Sequence, residues 1–409
     1  MAQDSYFLGR QPILDRQQNI VAFELLFRLS DCLSANVTDY LQASVSVILN
    51  ALTDFGFQEV LGRHKGFVNV NEEMLLSDSL ALLPKDRVVI ELLEMIQPTE
   101  EVVSRCRDLN LEGFTLALDD HVYDPSYEQL YGIVDIIKID ILEHSPEELR
   151  NAVSRFRQWP IKLLAEKVEN ADQYRLCQDL GFDFFQGYYF AHPVVLKQNR
   201  IDIAKVTLLK LLDQLLLDAS IEDVEETFKE SPSLTYNLLR LVNSVALGLL
   251  EKIRTLRHAI MVLGQQQLKR WILLALFAFR DTPGSISPLL EMAAMRGKLM
   301  ELLADKLHPG SHDHGESAFM IGILSLIDVL FGTSMEDITS KLNLTDDIRQ
   351  AILSRNGELG ELLNLVERLE KLDFEGVAKS LTVVGLSIDQ LLEAQLQGIN
   401  WTSKLAENM

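Results

Sequence analysis

The sequence predicts a variant (β/α)8 TIM-like barrel followed by an all-α helical domain, and three observations carry that reading. Over residues 6–193 short apolar runs alternate with longer segments of helical period. Residues 15–19 join the first two runs and are too few for a helical crossover, so that pair is antiparallel and the barrel departs from the regular form. Beyond Pro193 the short runs stop, and apolar residues recur at helical spacing instead. A chain of 409 residues with 47% hydrophobic content has enough apolar material for two cores. The predicted domains are 1–197 and 198–409.

The strands fall at residues 6–13, 20–27, 66–70, 88–91, 114–118, 134–139, 161–165 and 182–189. The later runs are bare Val, Ile and Leu, as expected of parallel strands buried on both faces, and helices such as 145–158 lie between them. Residues 201–217 form a long leucine-rich helix at the domain joint, suited to interdomain packing or to a second copy in a homodimer. Ser231-Pro232 supplies an N-cap oxygen followed by proline at the first helical position, and Gly264 ends the helix that runs through Ala259 and Leu263. Residues 281–288 and 308–317, rich in Gly, Pro, Ser and His, read as loops.

The formal charge of -22 repels phosphate backbones and anionic lipid, which argues against a nucleic-acid polymer or a membrane as partner. Cys32, Cys106 and Cys177 lie far apart and form no disulfide framework. The N terminus lacks the basic and apolar regions of a signal peptide, and the apolar run at 271–279 is too short to span a bilayer, so a cytoplasmic protein is expected.

In such a barrel the C-terminal ends of the strands share one mouth. There the sequence offers Glu24, Asn69, Glu91, Asp119-Asp120, Asp140 and Glu166, with one lysine, Lys138. Each acid alone suits a helix cap or a solvated turn. Together, without histidine or cysteine, they make a hard oxygen site for magnesium, manganese or calcium, and paired ions of that kind activate water for phosphoryl chemistry.

Residues 5–195 resemble the EAL family of cyclic di-GMP phosphodiesterases. Glu24-Leu25-Leu26-Phe27-Arg28 stands at the family's E-A-L-x-R signature, preceded by Gln11-Pro12-Ile13. Asn69, Glu91, Asp119-Asp120, Lys138-Ile139-Asp140, Ala165-Glu166-Lys167-Val168-Glu169 and Gln186-Gly187 follow in order. The resemblance implies metal ligation by Glu24, Asn69, Glu91, Asp119 and Asp120, with Mg2+ or Mn2+ as cofactor. It implies catalytic roles for Lys138, Glu166 and Glu169, and contacts to cyclic di-GMP from Gln11, Arg28 and Gln186. Three features depart from the family pattern. His121-Val122-Tyr123-Asp124 replaces F-G-T-G, Lys167 replaces the glycine of A-E-G-V-E, and the P-x-x-F-I-P-x-A-E stretch is absent between Leu29 and Leu61.

Residues from about 200 to 400 resemble the HDOD domain, a helical relative of HD phosphohydrolases. Ser231-Pro232-Ser233-Leu234, the run from Leu238 through Asn243-Ser244, and the run from Ala259 through Gly264 carry the likeness. No His-Asp pair stands in residues 322–328, where the HD chemistry would need one. His308 and His312-Asp313-His314 read as a solvated loop rather than a metal site, and Asn243-Ser244 as a helix end. Three functions stay open: a cyclic di-GMP phosphodiesterase coupled to an HDOD output that binds a protein partner, a sensor that binds the dinucleotide without cleaving it, and a scaffold.

Overall fold

A computed structural model describes residues 6–29, 60–77, 80, 83–187, 203–242, 253, 255–278, 288–331 and 333–408. Its described strands close into an eight-stranded barrel in sequence order. They are β1 (Tyr6–Asp15), β2 (Ile20–Leu29), β3 (Lys65–Val70), β4 (Val88–Leu92), β5 (Thr115–Leu118), β6 (Ile136–Asp140), β7 (Lys162–Glu166) and β8 (Phe184–Gln186). As the short connection requires, β1 runs antiparallel to β2, and it closes the barrel antiparallel to β8, while β2 through β8 are parallel. The expected strand 182–189 is shorter than predicted, and its last two residues lie outside the described residues.

Helices α1 (Glu72–Leu76), α2 (Glu100–Glu112), α3 (Glu128–Tyr131), α4 (Pro146–Phe156) and α5 (Ala171–Leu180) cover the strands. Local chemistry fixes their ends. Ser145 and Glu148 form a capping box at α4, as Asn170 and Gln173 do at α5, and Gly113 ends α2 at φ 99°.

Two apolar layers hold the barrel together. The outer one packs strands against helices through residues such as Val68, Ile90, Leu116, Ile137, Leu163, Cys106 and Phe156. An inner plug is made by Ile13, Ala22, Phe67, Val89, Ala117, Ile136 and Leu164, with Phe184 against it. Alternate residues of a strand share a face, so whatever stands two positions further along lies directly above this plug.

The described chain forms two compact units, residues 1–194 with 364–409, and residues 195–363. The end of the predicted helical domain therefore groups with the barrel. Within that unit α16 (Phe374–Val384) and α17 (Ile388–Asn408) pack on β1, where Gln395 Nε2 donates to the Leu8 carbonyl at 2.9 Å and Phe374 meets Phe7. Gly9 is required here, because a Cβ would sit 2.5 Å from Leu372 and 2.9 Å from Phe374.

The second unit holds α6 (Ile203–Leu216), α7 (Ile221–Lys229), α8 (Pro232–Val242), α9 (Leu256–Ala278), α10 (Pro288–Leu307), α11 (His312–Leu324), α12 (Ile327–Phe331), α13 (Met335–Thr339) and α14 (Asp346–Ser354). Gly264, at φ 72° and ψ 167°, breaks α9 as the sequence suggests. Asn243-Ser244 and residues 281–287 lie outside the described residues. The reading of 308–317 as a loop is corrected: only a tight turn follows His308, and α11 begins at His312. Polar and small residues suggested a loop there, but Ser311 to Ser317 complete the first turns of a helix whose remainder is buried.

Residues 312–331 are long and apolar enough by composition to cross a membrane, yet the helix breaks at Ser325 and 67% of the most apolar window is buried inside the protein. The segment is a core element, closely packed on α10. Gly297 and Gly322 face each other across that contact, and a Cβ on Gly322 would lie 2.6 Å from Gly297 Cα. Beside them the buried Arg296 donates to Ser325 Oγ at 2.6 Å, in the segment where an HD hydrolase would need its His-Asp pair. Because backbone blocks the space, Gly322→Ala should destabilise this unit by about 2 to 3 kcal/mol, read as a lower denaturant midpoint. An unchanged midpoint would mean that the helices do not meet there.

Candidate active site at the barrel rim

Directly above the apolar plug lies a polar layer, generated by the two-residue period of the strands. Moving two residues along from Ala22, Phe67, Val89, Ile136, Leu164 and Phe184 reaches Glu24, Asn69, Glu91, Lys138, Glu166 and Gln186. Ala117 leads to Asp119, just beyond β5, and on the antiparallel β1 the same step backwards from Ile13 reaches Gln11. The register pairs Gln11 with Glu24, Asn69 with Glu91, and Asp140 with Glu166.

Lys138 stands at the centre, 1% exposed. Its Nζ bonds Asp119 Oδ1 at 2.9 Å and Glu166 Oε1 at 2.9 Å, reaches Glu24 Oε2 at 3.4 Å, and pairs with Glu91. Gln186 Nε2 donates to Glu24 Oε2 at 2.5 Å and to Gln11 Oε1 at 2.8 Å, while Asn69 Nδ2 donates to Glu24 Oε1 at 3.2 Å. Burial opposes the lysine's charge, but Glu24, Glu91, Glu166 and Asp119 outweigh it and hold its pKa well above the ordinary value.

One ammonium cannot balance four carboxylates. Burial raises Glu91 well above the carboxylate range despite Lys138, and it pushes Glu166 up to about 7. Asp119 is buried too, yet Lys138, hydrogen bonds from Glu91 and Lys138, and the Asp120 backbone keep its pKa below the usual value.

A second acidic group adjoins the first. Asp120, Asp140 and Glu143 bring carboxylate oxygens within 4.8 Å of one another. The Lys167 ammonium pairs with the buried Asp140. Burial, with Glu143, Asp140 and Asp119 nearby, raises the pKa of Asp120. Both Asp120 and Lys167 take left-handed backbone, at φ 40° and 55°, where a side chain is disfavoured.

The structure therefore unites Gln11, Glu24, Asn69, Glu91, Asp119, Lys138, Glu166 and Gln186. Asp120 belongs to the neighbouring group with Asp140, which the sequence places at the mouth, and with Glu143 and Lys167, which the sequence does not assign to the site. The departure from the family pattern at Lys167 was the signal that could have found that residue. Glu169 stands apart from the lysine cluster: it is exposed, and its N–H goes to Gln173 Oε1 at 2.8 Å. Arg28 is on β2, with its side chain outside the described residues.

The altered segment after Asp120 turns into the helical layer. His121 is buried, with Nε2 2.7 Å from the Tyr131 hydroxyl, and burial lowers its pKa to about 4. Tyr123 stacks on Tyr131 beneath Arg155, and Asp124 accepts from the Ser126 N–H at 2.8 Å.

Residues 3–193 match the EAL domain family and residues 206–348 the HDOD domain family. The cyclic di-GMP phosphodiesterase CdgJ of Vibrio cholerae is 30% identical over 98% of this chain and 93% of its own length. This chain belongs to the EAL–HDOD family. An uncharacterised protein of Bacillus subtilis, YuxH, is 31% identical over 98% of this chain and 99% of its own. The solved FimX EAL domain from Pseudomonas aeruginosa, bound to cyclic di-GMP, is 20% identical, covering 46% of this chain and 89% of that one with a TM-score of 0.38.

Two predictions concern this EAL rim without metal. Lys138→Met removes the ammonium that, among the described residues, alone pairs with the four acids, and should destabilise the protein by about 3 kcal/mol, an effect that added Mn2+ partly reverses in thermal melts. Equal melting of variant and wild type would contradict the charge balance. Glu166, moved from 4.5 up to about 7, makes the folded chain bind more protons than the unfolded one between those values. Its contribution is full below 4.5 and declines as pH rises through about 7, so stability falls across that window. Glu166→Gln should flatten that part of the pH profile of the midpoint, and an unaltered slope would assign the titration elsewhere.

Proposed function

We propose that the chain hydrolyses cyclic di-GMP to the linear dinucleotide at the EAL barrel rim, with divalent metal, and passes its state on through the HDOD unit to a protein partner. The observation that carries this reading is the convergence of Glu24, Asn69, Glu91, Asp119 and Glu166 around Lys138. The donors fit a hard cation: among the described residues Asn69 Oδ1 and Glu91 Oε2 are buried oxygens that meet no hydrogen-bond donor, and four carboxylates face one Lys138 ammonium.

Glu24, Asn69, Glu91 and Asp119 would hold one ion, and Asp119 with Asp120 a second. Mg2+ or Mn2+ matches oxygen donors of this kind. When bound, such ions supply a hydroxide-like nucleophile and neutralise the phosphodiester. Lys138 Nζ positions the attacking water, Glu166 holds the Lys138 ammonium in place, and Gln11, Gln186 and Arg28 contact the dinucleotide. The exposed Glu169 acts at the outer edge. A cytoplasmic protein, free or as a homodimer, is consistent with a soluble dinucleotide ligand.

The Lys167–Asp140 pair favours a second reading, binding without turnover, because a tethered ammonium already occupies the acids beside Asp120. Incubation with cyclic di-GMP and Mg2+ or Mn2+, with linear product followed by chromatography, separates the two. On the enzyme reading Glu24→Ala lowers turnover at least about a hundredfold while the fold survives, and Lys167→Gly raises turnover. Calorimetric binding under calcium with no product from either form would make the protein a sensor, and no binding at all would leave a scaffold.

A further inference from the structure

The helical unit carries a donor set of a different kind from that of the barrel. His308 closes the last turn of α10, its N–H bonding the Ala304 carbonyl at 2.9 Å. Gly310, at φ 86°, lets the chain reverse, and His314 falls in the first turn of α11. The two imidazoles meet edge to face with centroids 4.7 Å apart. Glu358 reaches the same point from the start of α15 (Gly357–Glu370), after left-handed turns at Arg355 and Gly357. All three residues lie in the 195–363 unit.

Both imidazole Nε2 atoms stand 2.8 Å from one oxygen, Glu358 Oε1. Only His308 makes a hydrogen bond of it. The Nε2 of His314 is a buried atom at the same distance from that carboxylate without hydrogen-bond geometry, so among the described residues this ligating nitrogen is aimed into the cluster and makes no hydrogen bond. The three donor atoms lie within 4.8 Å of one another. A tetrahedral zinc ion with bonds of about 2.0 to 2.2 Å would need neighbouring donors about 3.3 Å apart, so each nitrogen–oxygen separation of 2.8 Å would open by about half an ångström. Partial exposure of His308 and Glu358, 48% and 44%, leaves a route in and room for a water as fourth ligand.

We propose that His308, His314 and Glu358 form a transition-metal site of the zinc class, which ties the α10–α11 turn to the start of α15. Two neutral imidazoles and one carboxylate leave a net single positive charge on a bound divalent ion. Imidazole donors select zinc, cobalt, nickel or copper over magnesium and calcium, so the site discriminates against the ions suited to the oxygen-lined barrel rim. This assignment does not depend on phosphodiester hydrolysis.

The test uses the full chain, stripped of metal and titrated with Zn2+ against a chromogenic chelator in millimolar Mg2+. The expected result is about one zinc per chain retained against magnesium, with a higher thermal midpoint on loading. The double variant H308A/H314A loses that zinc, and E358Q weakens it at least about tenfold. X-ray absorption of the zinc-loaded wild type provides a measurement that needs no variant: two imidazole scatterers per zinc support the site. Oxygen-only ligation, or the same zinc stoichiometry and affinity in H308A/H314A as in wild type, overturns it.

Discussion

A single buried ammonium, that of Lys138, makes the polar layer of the barrel tenable. Four carboxylates enclosed by apolar strands and helices would repel one another and remain unsolvated, and burial of such groups is strongly unfavourable without compensation. Lys138 compensates by touching all four, from the strand opposite Glu24 and between Asp119 and Glu166. The amide side chains complete the arrangement. Gln186 bridges Glu24 to Gln11 across the antiparallel closure of β1 with β8, so the irregular first strand delivers a polar contact at the depth of the others.

The layer's position follows from the plug beneath it. Small residues, Ala22 and Ala117, alternate with large ones, Phe67 and Leu164, and fill the barrel so that the next level up is closed from below. The segment after Asp120 leaves that rim: its His121 and Tyr123 are committed to packing with Tyr127, Tyr131, Phe156 and Trp159. Where the EAL family has F-G-T-G, this chain has a segment held in an aromatic cluster.

Much of this was legible in the sequence, because strand period and strand termination are local properties. The spacing that places Glu24 above Ala22 is the spacing that identifies β2. Legibility fails where the chain leaves a regular element. Glu169 lies three residues past the end of β7, beyond the left-handed Lys167, and the two-residue period no longer tells which way a side chain faces. Glycine, serine and histidine around residue 312 resemble a loop by composition, although the apolar residues from Ala318 onward bury a helix that extends back to His312. Contacts far apart in sequence leave no local trace at all. Gln395 to Leu8 spans 387 residues, and nothing in either segment announces that the last helices return to the barrel.

Protons, ammonium groups and metal ions are interchangeable ways of neutralising the rim, and their competition links its departures from the family to its chemistry. At the main cluster Lys138 offsets part of the acid charge, and burial raises the pKa of Glu91 and Glu166, so a divalent ion bound there would compete with protons for their oxygens. At the neighbouring cluster Lys167 supplies a charge that cannot diffuse away, since it is covalently tethered beside Asp140. A metal entering there must either share the acids with that ammonium or expel it to solvent. The lysine is more than half exposed, so expulsion forfeits little burial, but its attraction to Asp140 must be overcome. Where the family pattern has glycine, this chain thus carries a tethered cation beside Asp140, and any metal at the neighbouring cluster would meet that ammonium first.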